Sequence, residues 1–221
     1  MSPIIDPIKT KFLRTAIAAG ALKFGQFTLK SGRVSPYFFN AGLFCDGAAL
    51  NALSACFADT LIESGIGFDM LFGPAYKGIT LASATALQLS LRHKLATPFC
   101  FNRKETKAHG EGGLLIGAPL KGRVVIVDDV ISAGTSVRES IAIIQAHDAT
   151  PALVLIALDR QERGSGVETY SAAQQVQRQF GIPVLAVAGL DDLFTQDLPQ
   201  VEPYRDDLLR YRAEYGALSQ T

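Results

Sequence analysis

Two adjacent carboxylates, Asp128 and Asp129, end the apolar run Arg123-Val124-Val125-Ile126-Val127. Such a run reads as a strand buried on both faces, so it delivers both acids to its C-terminal tip. Like charges side by side cost free energy unless a ligand or cation uses them. The residues that follow, Val130-Ile131-Ser132-Ala133-Gly134-Thr135-Ser136, are mostly small or hydroxylated and lead into helical spacing. The first N–H groups of a helix have no partner within it. Together with the helix dipole and the hydroxyls of Thr135 and Ser136 they form an anion site suited to a phosphate. Acceptors beside a phosphate cradle fit a sugar phosphate: carboxylates for the ribose hydroxyls, the cradle for the 5′-phosphate.

Plainer roles compete for parts of this segment. Ser136-Val137-Arg138-Glu139 fits a capping box, which alone would account for Ser136 and Glu139. It leaves the paired acids unexplained. An apolar strand ending in Asp-Asp also occurs in P-loop NTPases, but no G-x-x-x-x-G-K-[ST] is present anywhere in the chain, which weighs against that reading.

Other segments carry chemistry of their own. Arg103–Gly112 gathers Arg103, Lys104, Lys107 and His109 with too little apolar surface for a core; its flanking glycines suggest a mobile lid rather than a plain solvated loop. Gly73-Pro74-Ala75-Tyr76-Lys77-Gly78 follows a strand. A tight strand-to-helix turn explains Gly73, Pro74 and Gly78, but not Lys77. Phe38 and Phe39 would wall a slot for a flat ring or simply pack in a core. Arg160, just beyond a buried strand, is a candidate bidentate partner for a carboxylate. His93 and His147 sit at helix ends, where a cation favours the dipole, and need no catalytic role.

The elements that must position these residues alternate. Asp6 caps an N-terminal helix that stops at Gly20; short strands and turns follow from Leu22 to Leu43, then a helix from about Ala48 to Glu63. Strands are expected at Asp69–Phe72, Pro98–Phe101, Arg123–Val127, Ala152–Leu158 and Pro183–Val187. Helices are expected at Ile79–Leu91, Ser136–His147 and Glu168–Phe180, and two helical pieces finish the chain. This is an α/β pattern: a doubly wound, mainly parallel sheet of about five strands with helices on both faces. Its ligands belong outside the C-terminal strand ends. One domain is expected over 1–221, with about 1–45 forming a small N-terminal helix and hood.

Lys+Arg and Asp+Glu number 21 each, so no global positive field draws in nucleic acid or an anionic membrane, and anion recognition must be local. Three scattered cysteines, Cys45, Cys56 and Cys100, suit neither a disulfide framework nor a zinc site, and Cys56 reads as core filler. No signal peptide and no apolar stretch of membrane-spanning length is visible, so a reduced cytoplasm is the expected location.

Val124–Ser136 resembles the motif by which type I phosphoribosyltransferases bind phosphoribosyl pyrophosphate (PRPP). Four further stretches are similar to the bacterial orotate phosphoribosyltransferase family in type, order and spacing. They are Leu29–Arg33 with Ser35–Asn40, Phe72–Gly78, Phe101–Gly112 and Leu158–Arg163, and the likeness runs from about residue 12 to 215. A purine phosphoribosyltransferase would share the PRPP motif without the full set. Regulators of this fold that bind nucleic acid and sense PRPP fit the neutral charge and missing basic helix poorly.

The resemblance implies PRPP contacts from Lys30, Tyr76, Lys77, Arg103, Lys104, Lys107 and His109, and from Asp128, Asp129, Val130, Ile131, Ser132, Ala133, Gly134, Thr135 and Ser136. It implies orotate contacts from Lys30, Phe38, Phe39, Ser132 and Arg160. The relatives carry Thr where this chain has Ser132; the hydroxyl is kept, with freer rotamers. Lys107 is implied as the leading catalytic residue, with His109, Asp128 and Asp129, acting from a lid that reaches across a homodimer interface. Cationic donors on such a lid would stabilise departing pyrophosphate, and closure would exclude water. Mg2+ is the expected cofactor, held mainly by PRPP and water with no direct protein ligand.

Overall fold

The computed structural model describes residues 5–29, 31–104, 114–132, 134–164 and 169–218. The chain begins with α1 (Pro7–Ala18), which Asp6 caps: its Oδ1 accepts from the N–H groups of Ile8 and Lys9 at 2.9 and 3.2 Å. An antiparallel hairpin of β1 (Leu22–Thr28) and β2 (Val34–Phe39) forms a sheet of its own. Then come α2 (Gly47–Glu63), β3 (Met70–Gly73), α3 (Lys77–His93), β4 (Phe99–Asn102), β5 (Leu115–Gly117), β6 (Arg123–Asp128), α4 (Thr135–Gln145), β7 (Thr150–Asp159), α5 (Ala172–Phe180) and β8 (Val184–Gly189). A short α6 (Asp192–Thr195), a 3-10 segment (Pro199–Tyr204) and α7 (Arg205–Tyr215) follow, one piece more than the sequence suggests.

The main sheet has the order β5-β4-β3-β6-β7-β8. Five strands are parallel, as expected; β5 adds an antiparallel edge beside β4. Along β6 the side chains alternate. Val125 and Val127 pack with α1, α2 and α3, and Val124 and Ile126 pack with Val137, Ile141 and Ile144 of α4 and Val176 of α5. Both faces are therefore covered, which is why the strand is apolar throughout.

Connection direction changes between β3 and β6: β3 leads outward to β4, and β6 leads the other way to β7. The C-terminal ends of these two neighbours flank a crevice, the place where open α/β sheets bind ligands. Two glycines let the first wall of the crevice fold tightly. A Cβ on Gly73 would collide with the Gly78 carbonyl, and one on Gly78 would lie 2.8 Å from the Val127 carbonyl oxygen on β6.

Two expected details differ. The described part of α5 starts at Ala172, where Ser171 and Gln174 cap each other reciprocally, and not at Glu168, which lies outside the described residues. The box proposed for Ser136 and Glu139 does not form: α4 is capped by Gly134 without a side-chain bond.

Candidate active site at the switch of the sheet

Asp128 ends β6 and Asp129 follows it; both are buried. The Asp128 Oδ1 accepts from the Asp129 N–H at 2.9 Å, and its Oδ2 accepts from the Ser136 hydroxyl at 3.0 Å. Ser136 thus ties the start of α4 to the acid pair, in place of capping the helix. Burial, and then the neighbouring Asp129 charge, raise the Asp128 carboxyl above the ordinary carboxylate range. The Asp129 carbonyl accepts from the Ala157 N–H at 2.9 Å, which fixes the loop to β7.

From Asp129 the loop passes Val130, Ile131 and the exposed Ser132 to Gly134, whose φ of 72° lies in the left-handed region. A Cβ there would also crowd Arg138 and Val176. Glycine is therefore needed to turn the loop into α4. Thr135 is exposed and accepts from Arg138 Nη2 at 3.3 Å. Ala133 lies outside the described residues.

Across the crevice, Lys77 opens α3. Its Nζ lies 2.6 Å from Asp129 Oδ2. The preceding turn, which contains a cis Ala75–Tyr76 peptide, is pinned by Asn102: the Ala75 N–H donates to Asn102 Oδ1 at 2.9 Å. Asn102 is a supporting residue that sequence reading gave no role, although it sits within one of the diagnostic stretches. Tyr76 is exposed, and Lys104 Nζ stands 4.9 Å from its ring centroid. Arg103 closes the neck of the segment joining β4 to β5 through its N–H and the Leu114 carbonyl, 2.7 Å apart. Lys107 and His109 lie outside the described residues, as does Lys30. Beside Lys77 opens a cavity of about 140 Å³, lined also by Ala41, Phe44, Leu53 and Leu81.

The two phenylalanines part company because successive strand residues face opposite ways. Phe38 is exposed and rests on Phe27, with ring centroids 5.6 Å apart. Phe39 packs into the core against Phe12 and Phe44. Of the pair, Phe38 is the more open, and Phe39 is partly buried. Arg160 follows β7 with its guanidinium over Tyr37 and bonded to Glu162.

The histidines assigned no chemistry have structural partners: His93 Nε2 lies 2.8 Å from Asp59, and His147 Nδ1 lies 2.9 Å from the Ile143 carbonyl. Tyr204 stacks on Phe24, and Tyr211 packs against Tyr37 and Tyr215.

A model of the phosphoribosyl transferase domain matches residues 46–171. The orotate phosphoribosyltransferase of Neisseria meningitidis serogroup C (strain 053442) is 58% identical over 207 residues, covering 93% of this chain and 96% of that protein. That of Pseudomonas putida (strain W619) is 55% identical over 214 residues, covering 96% and 100%. The chain belongs to the orotate phosphoribosyltransferase family. The solved orotate phosphoribosyltransferase of Francisella tularensis agrees in fold, with a TM-score of 0.81, 40% identity, and coverage of 93% of this chain and 99% of that one. Relatives this similar over nearly the whole chain set aside a purine transferase or a regulator of the same fold. The enzyme therefore serves pyrimidine biosynthesis.

Proposed function

We propose that the chain transfers the phosphoribosyl group of PRPP to N1 of orotate, giving orotidine 5′-monophosphate and pyrophosphate. The observation that carries this reading is the arrangement at the sheet's switch point. Asp129 of the buried acid pair meets Lys77 across the crevice, Asp128 is tied to Ser136, and the N-terminus of α4 follows within one loop. Asp128 and Asp129 take the ribose hydroxyls and favour the positive charge that develops on the sugar. The loop from Val130 to Ser136 cradles the 5′-phosphate. Tyr76 and Lys77 meet the pyrophosphate, with Lys30, Arg103, Lys104, Lys107 and His109 supplying the cations that stabilise its departure. Arg160 meets the orotate carboxylate, with Lys30, Phe38, Phe39 and Ser132 around the ring. N1 attacks the face opposite to pyrophosphate, so configuration inverts and no covalent enzyme intermediate forms.

Among the described residues no group of three or more His, Cys, Asp or Glu forms a metal cage. The hard oxygens of Asp128 and Asp129 suit Mg2+ beside a polyphosphate, where this ion keeps most of its ligands from substrate and water. Bound there, Mg2+ supplies charge neutralisation for the pyrophosphate. Cys56 and Cys100 are buried free thiols, which supports a reducing cytoplasmic setting. No helix among the described residues is long and apolar enough to cross a membrane.

A second copy of the chain is the partner that fits the outer face of α3. Leu87 and Leu91, one turn apart, are exposed with Leu95 and Leu114. Leu87 lines an open groove of about 570 Å³ whose lining, including Ala86, Pro98 and Phe99, carries no charged side chain. The groove runs beside β4 and β5, the two strands that the Lys107 segment connects.

The assay is the absorbance loss of orotate with PRPP and Mg2+, beside hypoxanthine and adenine. Consumption of orotate that needs both PRPP and Mg2+ is expected. Turnover of a purine instead of orotate would overturn the base assignment.

A further inference from the structure

Arg160 is held by more than its place at the end of β7. Its guanidinium carbon lies 4.5 Å from the centroid of the Tyr37 ring, and its Nη2 donates to Glu162 Oε1 at 2.6 Å. The Tyr37 hydroxyl donates to that same oxygen at 2.8 Å. Tyr37 is itself fully buried in β2 and meets Tyr211 edge-on at 6.1 Å. The other Glu162 oxygen faces Arg33 at 3.9 Å. Arg33 in turn donates to the carbonyls of Arg163 and Gly164. The Glu162 backbone pairs with Gly216 just past α7. The loop is therefore clipped on one side to the hairpin and on the other to the C-terminal helix.

These contacts do different things to the guanidinium. A ring beneath it fixes the plane; a carboxylate at one Nη fixes rotation within that plane. A planar fork reads a carboxylate through two parallel bonds only when both are set, and a free arginine side chain has many rotamers to lose. Burial keeps the proton on the Tyr37 hydroxyl, despite the opposing pull of the Arg160 charge, so it remains a donor to Glu162.

Resting on the reading of Arg160 given above, we infer that Tyr37 and Glu162 are positioning residues for the base. They aim the Arg160 guanidinium at the ring carboxylate and so set the preference for a carboxylated pyrimidine. Glu162 acts as a fixed acceptor rather than as a compensating charge.

The test compares Y37F, E162A, E162Q and R160A in steady-state kinetics with orotate and PRPP, and with uracil, a ring lacking the carboxylate, as competitor. For E162A, KM for orotate should rise about tenfold or more while KM for PRPP stays within about twofold. E162Q, which keeps an acceptor oxygen, should restore most of the loss. Y37F, which keeps the ring but frees Glu162, should fall between. The Ki of uracil should stay unchanged throughout. Parallel rises in KM for orotate and PRPP, or a uracil Ki that moves with KM for orotate, would mean a general loss of structure and sink the proposal. So would an E162Q as damaged as E162A, because charge and not placement would then matter. R160A that leaves KM for orotate unchanged would overturn the underlying reading of Arg160 itself.

Discussion

Lys77 and Asp129 stand 2.6 Å apart although they close the loops of two different strands, β3 and β6. The Asp129 carboxylate is buried and the Lys77 ammonium half exposed. Ion pairs that open to water contribute only about 0–1 kcal/mol to stability. In the function proposed above their value is placement, each group set to face its own part of PRPP. On that proposal Lys77 would turn to the pyrophosphate and Asp129 to the ribose.

Lys77→Ala should therefore leave the melting temperature nearly unchanged while weakening PRPP. A charged hydrogen bond is worth about 1.5–3 kcal/mol, which corresponds to a rise of roughly 10- to 150-fold in KM for PRPP. Thermal melts and initial rates on the same preparation decide it. A large loss of stability with PRPP affinity intact would make the pair structural.

Asp128 has its carboxyl pushed up to about 6 by burial and by the Asp129 charge. The folded protein thus holds a proton there that the unfolded chain releases nearer pH 4. Folding stability from this group is intact below the ordinary carboxylate pKa and is lost as pH rises through the raised one. Asp128→Asn removes the charge and can still accept from Asp129 N–H and pair with Ser136. At neutral pH it should raise stability by about 1–3 kcal/mol while abolishing most activity, and the gain should vanish as pH falls towards 4. Melting curves across that range provide the check; a gain independent of pH would show that the Asp128 charge is not its source.

Sequence alone reveals the acid pair because the apolar run before it can only be a buried strand, and a strand has one C-terminal tip. The same run says nothing of its neighbours. That β6 lies beside β3, bringing Asp129 to Lys77, follows from packing across the whole sheet. β5 escapes detection because three residues, Leu115–Gly117, show no period and gain their backbone partners only by pairing with β4. The Tyr37-Phe38-Phe39 run is visibly apolar, but its register decides how far each ring is open, and that depends on the hairpin with β1. Ser136 matched a local capping pattern and was claimed instead by Asp128, eight residues back. Local patterns therefore found the chemistry-bearing segments, and long-range pairing fixed what each side chain touches.

Lys107→Ala should lower kcat far more than it weakens PRPP, because its charge matters most as pyrophosphate departs. Loss of one such stabilising donor costs roughly 10²- to 10³-fold in rate. Pre-steady-state measurement separates that from a change in PRPP dissociation constant. An unchanged kcat would remove Lys107 from the chemistry.

If the Lys107 segment serves the neighbouring subunit, two inactive variants should rescue each other. Lys107→Ala and Asp129→Asn, unfolded and refolded together, would assemble hybrids in which one site carries both lesions and the other carries neither. With random pairing of equal amounts, activity should return to about a quarter of the wild-type value. Leu91→Asp, which puts a charge on the exposed α3 face, should abolish that recovery by keeping the chains apart, as sedimentation would show. A mixture that stays inactive while sedimenting as a dimer would place Lys107 and Asp129 in a site built within one chain.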